Sequence, residues 1–255
     1  MRFDSLKYTK AMKYIKLFEN FEPYDPYELM ITPPNKKAEM LVQEINKREP
    51  NLNLVGDLIV LGTNLDWQDN IGETALHVSA NQDHPEIIRM LIDAGADLNV
   101  RDNSGRTTLD WCARFDRPEI LGVLIDAGAD LNIQDNFGKT ALHWCADKYR
   151  PEIAWMLLDA GADLNIQDED GYTALHYCAS YNYPKIVRML LDYGADVNIQ
   201  HNNGSTALHW CVMWDHPKIV RMLLDAGADK TIPNNDGELP YELADTQELK
   251  ELLKP

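Results

Sequence analysis

The chain has 255 residues, is 45% hydrophobic, and carries 24 Lys and Arg against 41 Asp and Glu, a formal net charge of −17 at pH 7. That balance repels polyphosphate and excludes nucleic acid as a partner. No apolar run reaches the roughly 18 residues that a spanning helix needs, so no membrane span is expected.

Residues 1–33 stand outside any repeat. Tyr8, Met12, Ile15 and Phe18 sit at helical spacing among Lys7, Lys10, Lys13 and Lys16. The following PYDPYELMITPPN is read as too proline-rich for a helix. A helix and strap covering the first unit is the favoured reading. The alternative is a basic amphipathic segment, the only candidate for a membrane contact. Lysines at every third position interrupt any signal-peptide core. Residues 34–68 read as a degenerate first unit that keeps Gly62 in phase with Gly95 and serves as an N-terminal cap.

From residue 69 the sequence repeats with a period of 33. Gly72, Gly105, Gly138, Gly171, Gly204 and Gly237 mark it, as do the glycines of the GAD tripeptides at Gly95, Gly128, Gly161, Gly194 and Gly227. In the unit 135–167, Asp135 to Gly138 is turn chemistry and Thr140 is an N-cap for a first helix. Pro151 starts a second helix without losing a hydrogen bond, and Gly161 ends it in the left-handed region. Two short helices and a turn cannot bury their apolar faces alone, so the units 69–101, 102–134, 135–167, 168–200 and 201–233 must stack into one solenoid. Residues 234–255 close it, with Pro240 in a last turn and a final helix capped by Asp245 or Thr246, with Glu248 placed for a capping box.

The motif GxTALH, then a PEI segment and GADLN, resembles the ankyrin repeat over about residues 69–245. The resemblance implies an all-α ankyrin-repeat solenoid, a single elongated domain of helix–turn–helix units with β-turn or hairpin fingers, whose business is interaction. In that family the TALH histidine bonds the nearby threonine and backbone; here Asp110 replaces it in one unit, which also places Gly122 inside a helix. Residues 102–134 are therefore expected to be the weakest unit. The residue ending the first helix is Asp83, Asp116, Tyr149, Asn182 and Asp215 in turn, and a left-handed backbone suits Tyr149 poorly.

Cys112, Cys145, Cys178 and Cys211 recur at one position, where outer units hold Ser79 and Ala244. Helices packed about 8–10 Å apart keep equivalent thiols beyond disulfide reach, and His143 and Cys145, two apart on a helix, diverge from any common metal. Core packing is the reading, in a reducing, cytoplasmic setting. Trp111, Trp144, Tyr177 and Trp210 recur likewise and are read as inter-helix core. Trp155 stands where the other units carry Arg89, Gly122, Arg188 and Arg221, and is expected on the outer face, over the gap at Gly122.

Irregular positions carry the functional expectation. By the resemblance they face the concave surface: Ile71, Phe137 and Tyr172 at the turn tips, and Arg114, Phe115, Lys148, Tyr149, Tyr181, Tyr183, Met213 and Trp214 along the groove. Exposed rings make good interface anchors. Residues 1–50 carry a net +1 and residues 51–255 therefore −18, a field that favours a basic protein or peptide. No unit shows a nucleophile with its base, convergent carboxylates or a phosphate loop. The sequence thus calls for a non-enzymatic adaptor, scaffold or inhibitor, without catalytic residues, metal or cofactor; it leaves the oligomeric state open, with a monomer favoured. Self-assembly through the N-terminal segment or Trp155 is the alternative.

Overall fold

The structure is a computed structural model that describes residues 26–254. The expected helix around Tyr8 to Phe18 lies outside the described residues. No strand occurs among those described, so the fingers are turns only.

The described residues run through fourteen α-helices: α1 (Pro26–Ile31), α2 (Pro34–Ile45), α3 (Leu52–Val60), α4 (Ala75–Gln82), α5 (Pro85–Asp93), α6 (Thr108–Phe115), α7 (Pro118–Asp126), α8 (Ala141–Lys148), α9 (Pro151–Asp159), α10 (Ala174–Ser180), α11 (Pro184–Asp192), α12 (Ala207–Met213), α13 (Pro217–Asp225) and, after a 3-10 turn at Pro240–Leu243, α14 (Gln247–Leu253). Helix α1 corrects the proline argument. Pro26 occupies its first position, where the missing N–H costs nothing, and the helix stops before Pro33, with Thr32 donating N–H to the Glu28 carbonyl at 3.1 Å.

The unit that begins at Asp135 shows why the repeat folds as it does. Asp135 Oδ1 accepts the N–H groups of Phe137 (2.8 Å) and Lys139 (3.0 Å), which closes the finger. Thr140 is extended (φ −93°, ψ 172°) and caps α8, while its own N–H donates to His143 Nδ1 at 3.1 Å. At the end of α9, Gly161 (φ +86°) donates to the Leu158 carbonyl and Ala162 to the Leu157 carbonyl, both at 3.0 Å, a double bond pattern that needs the left-handed residue.

Stacking then follows in two layers. The first helices α2, α4, α6, α8, α10 and α12 pack in series and end on the 3-10 turn; the second helices α3, α5, α7, α9, α11, α13 and α14 form the other row. Between the layers lies one continuous core in which each second helix contributes fully buried side chains, such as Ile87, Ile88 and Leu91 or Ile120, Leu121 and Leu124. All four cysteines are free and buried in it, and burial pushes each thiol well above its usual range. Ser79 and Ala244 are buried at the same position.

Polar bonds set the register between units. Asn132 Oδ1 accepts the Asp163 N–H at 2.8 Å, and Asn99, Asn165 and Asn198 do the same for the following GAD turns. Successive fingers share one backbone bond each, as in Glu169 N–H to the Phe137 carbonyl at 3.0 Å. Gly138 (φ +74°) permits this approach, since a Cβ there would stand 2.6 Å from Glu169 N.

The ends use other chemistry. Lys37 is buried and donates to the Leu61 carbonyl at 2.7 Å. At the far end Thr246 caps α14, accepting from Leu249 N–H at 3.4 Å. Glu248 makes no capping box; it accepts from Arg221 at 2.6 Å instead. None of the described helices is long and apolar enough to cross a membrane.

Candidate interaction site

The first helix of each repeat presents its ring position toward the finger, and this decides the site. Trp111 is buried, but Trp144, Tyr177 and Trp210 are only half-buried. The expected core position thus holds for Trp111, while Trp144 and Tyr177 are half-buried and packed against the core, and Tyr177 and Trp210 line the groove described below. Two of the four reach down to the finger aspartate, Trp111 Nε1 to Asp102 Oδ2 (3.2 Å) and Tyr177 hydroxyl to Asp168 Oδ2 (2.7 Å).

Cations of the chain itself lie between these rings. The Arg106 guanidinium sits 4.8 Å from the Trp111 ring centre. Arg114 lies 5.4 Å from Phe115 and 5.3 Å from Trp144. Lys139 lies 5.2 Å from Trp144 and 4.6 Å from Tyr177. Rings and cations thus run in one series from Arg106 to Tyr177, with Trp111 and Phe115 in direct ring contact at 5.3 Å, each cation–ring contact contributing about 0.5–1 kcal/mol at exposed positions.

Beyond Tyr177 the series changes. Tyr172 touches Tyr177 (5.4 Å), Trp210 (5.5 Å) and His201 (4.6 Å). An open groove of about 510 Å³ lies here, lined by Tyr172, Tyr177, Ser180, Tyr181, Trp210 and Trp214. Tyr181 and Trp214 are 49% and 56% exposed at its rim. Desolvation first, and then the Asp170 and Asp168 carboxylates, push the Tyr172 phenol up; desolvation and its bond to Asp168 push Tyr177 up.

Of the residues expected from the sequence, Tyr172, Tyr181 and Trp214 are brought together in this groove, and Arg114 and Phe115 join the adjoining cation–ring series. Tyr183 stacks between Tyr149 (4.7 Å) and Tyr181 (5.7 Å). Tyr149 holds φ +53°, the strained conformation anticipated for it. Lys148 is exposed and pairs with Asp147 at 2.9 Å, and Met213 is exposed beside Trp214 in sequence. Ile71 and Phe137 stand apart: exposed at their finger tips, they contribute carbonyls that hold the next finger. Tyr177, Ser180 and Trp210 were not expected. The signal for them was the loss of a cation, since Tyr172 stands 33 residues after Lys139.

Outside this face, Trp155 is 50% exposed on α9 and does not cover Gly122. The terminal methyl of Met156 does so, 3.2 Å from where a Cβ would lie. Trp155 instead meets Tyr193, whose hydroxyl donates to Asp159 at 3.2 Å.

A stack of paired helices with turn fingers and an open aromatic face defines a repeat-built interaction module. The family described as "Ankyrin repeats (3 copies)" matches residues 42–135, 122–201 and 142–234, and the chain belongs to it. Among solved structures it is similar to the ankyrin repeat domain of Bcl-3, described as a unique member of the IkappaB protein family. The identity is 29%, the TM-score 0.78, and the match covers 88% of this chain and 99% of that one. A comparison with curated proteins gives no match.

Proposed function

We propose that this chain is a non-enzymatic adaptor, scaffold or inhibitor that holds a basic protein or peptide on its concave face, where the finger sides meet the ends of the first helices. One observation carries the reading. Phe115, Tyr181 and Trp214 occupy the same repeat position in three units, and all three are exposed. Exposed rings gain little from water and much from a partner that covers them, and a net charge of −18 over residues 51–255 favours a basic one.

The test compares the wild-type chain with one carrying Phe115→Ala, Tyr181→Ala and Trp214→Ala. The variant is expected to melt like wild type and to lose a partner that wild type retains. A partner held equally by both rules out this face. Self-assembly is the second reading, favoured by Trp155 and Tyr193 on the other side of the stack. Light scattering that gives the mass of one chain removes it.

A further inference from the structure

Three ring-to-ring intervals cross the aromatic face, and two are filled by the chain's own cations. Arg114 fills the interval that ends at Trp144, and Lys139 the one between Trp144 and Tyr177. In the third, between Tyr177 and Trp210, both cation positions have changed: Tyr172 stands where Lys139 stands in the preceding unit, and Ser180 stands two units after Arg114. The rings remain, with Tyr181 and Trp214 added at the rim, and the groove lies at this point.

We infer that the groove between Tyr177 and Trp210 receives an arginine side chain of the partner, the guanidinium lying against the ring faces of the one interval that this chain fills with a ring, Tyr172, and not with a cation. The inference rests on the concave-face reading above and names the chemistry the face recognises. Three observations favour this occupant. First, the chain already seats a guanidinium on rings in this register, at Arg114. Second, the lining offers ring faces and the Ser180 hydroxyl but no carboxylate, and Asp168 Oδ2 accepts from the Tyr177 hydroxyl. The preceding interval seats an ammonium, Lys139, against two rings only, whereas this groove presents the faces of four or more. The guanidinium is planar and weakly hydrated, and stacks on rings at lower cost. Third, the surrounding field is negative, as the upward push of Asp168 and Asp170 on the Tyr172 phenol shows.

The probe is Nα-acetyl-arginine methylamide, titrated into the full chain while the indole N–H resonances of the six tryptophans are followed. Saturable shifts are expected for Trp210 and Trp214, with Trp67 and Trp155 unmoved, and capped norleucine should shift none. Tyr172→Lys supplies the missing internal cation and should weaken binding about tenfold, with helical content unchanged. Ser180→Arg, at the half-exposed groove wall, does the same by the other cation position and serves should the first variant unfold. Unmoved Trp210 and Trp214 resonances overturn the inference, as does undiminished binding in a folded variant. Tighter binding of capped lysine or trimethyl-lysine overturns the choice of a guanidinium. If the probe fails while the triple alanine variant still loses a partner, the interaction face stands and only the arginine slot falls. If both fail, the face itself is wrong.

Discussion

Asp110 shows how one side chain alters a repeated design. In three other units the histidine at this position accepts from the threonine N–H through Nδ1 and donates through Nε2 to the next finger: His77 to the Arg106 carbonyl at 3.1 Å, His143 to Tyr172 at 3.0 Å and His209 to Glu238 at 3.3 Å; His176 Nε2 is buried without such a bond. Asp110 keeps the first half, accepting from Thr107 N–H at 2.8 Å and from its hydroxyl at 3.0 Å, and makes no bond to the next unit. It is fully buried, and burial pushes its carboxyl up to about 7 from an ordinary 3.8, against the pull of the Thr107 bonds. The folded chain therefore holds a proton between about pH 4 and pH 7 that the unfolded chain has lost, so stability falls as pH rises through that window. Asp110→Asn keeps the shape and cannot ionise. It should stabilise the protein on the order of 2–3 kcal/mol at about pH 8 and by nearly nothing at about pH 4, read from urea unfolding at both. An equal effect at the two pH values would assign the cost to packing instead. The substitution was visible in the sequence, but the burial of its charge was not, because a 33-residue period says which residues recur and not how deeply each sits.

At the level of the element, the helices were legible because their punctuation has physical content. Threonine caps, prolines at first positions and left-handed glycines each satisfy or remove a terminal backbone group, and the observed helices begin and end on them. The register of Asp83, Asp116, Tyr149, Asn182 and Asp215 was equally readable, and all five adopt positive φ. What could not be read was the direction of side chains off these helices. Periodicity assigned Tyr177 and Trp210 to the core, whereas both are half-buried and line the groove, Tyr177 while also packing against the core. Trp155 was placed correctly outside and wrongly over Gly122, since the residue that reaches across to α7 is the next one, Met156. Gly122 lies in an ordinary helical backbone, and only a flexible methionine end stands near its missing Cβ. Gly122→Ala should thus raise stability by about 0.5–1 kcal/mol, seen as a higher denaturant midpoint with an unchanged slope. A loss would mean that the methionine cannot give way.

At the scale of the molecule, the described helices make their main contacts within their own unit and with its neighbours, so stability is distributed along the array rather than held at one centre. Residues 102–134 combine the buried Asp110 with the helical Gly122, and amide exchange should be fastest there among the internal units. A slower rate than in the flanking units would contradict that account. The same elongated, acidic stack predicts a partner association that slows as salt rises, measured by stopped flow; salt-independent kinetics would count against a basic partner. The cysteines give these ideas a finer instrument. Four successive repeats each seal one thiol completely, and in none of them is it a ready nucleophile while closed. An alkylating reagent can meet Cys112, Cys145, Cys178 or Cys211 only when that particular repeat breathes open. The natural sequence therefore carries four clocks, and mass spectrometry of the labelled peptides reads each repeat's opening separately, with no engineered probe.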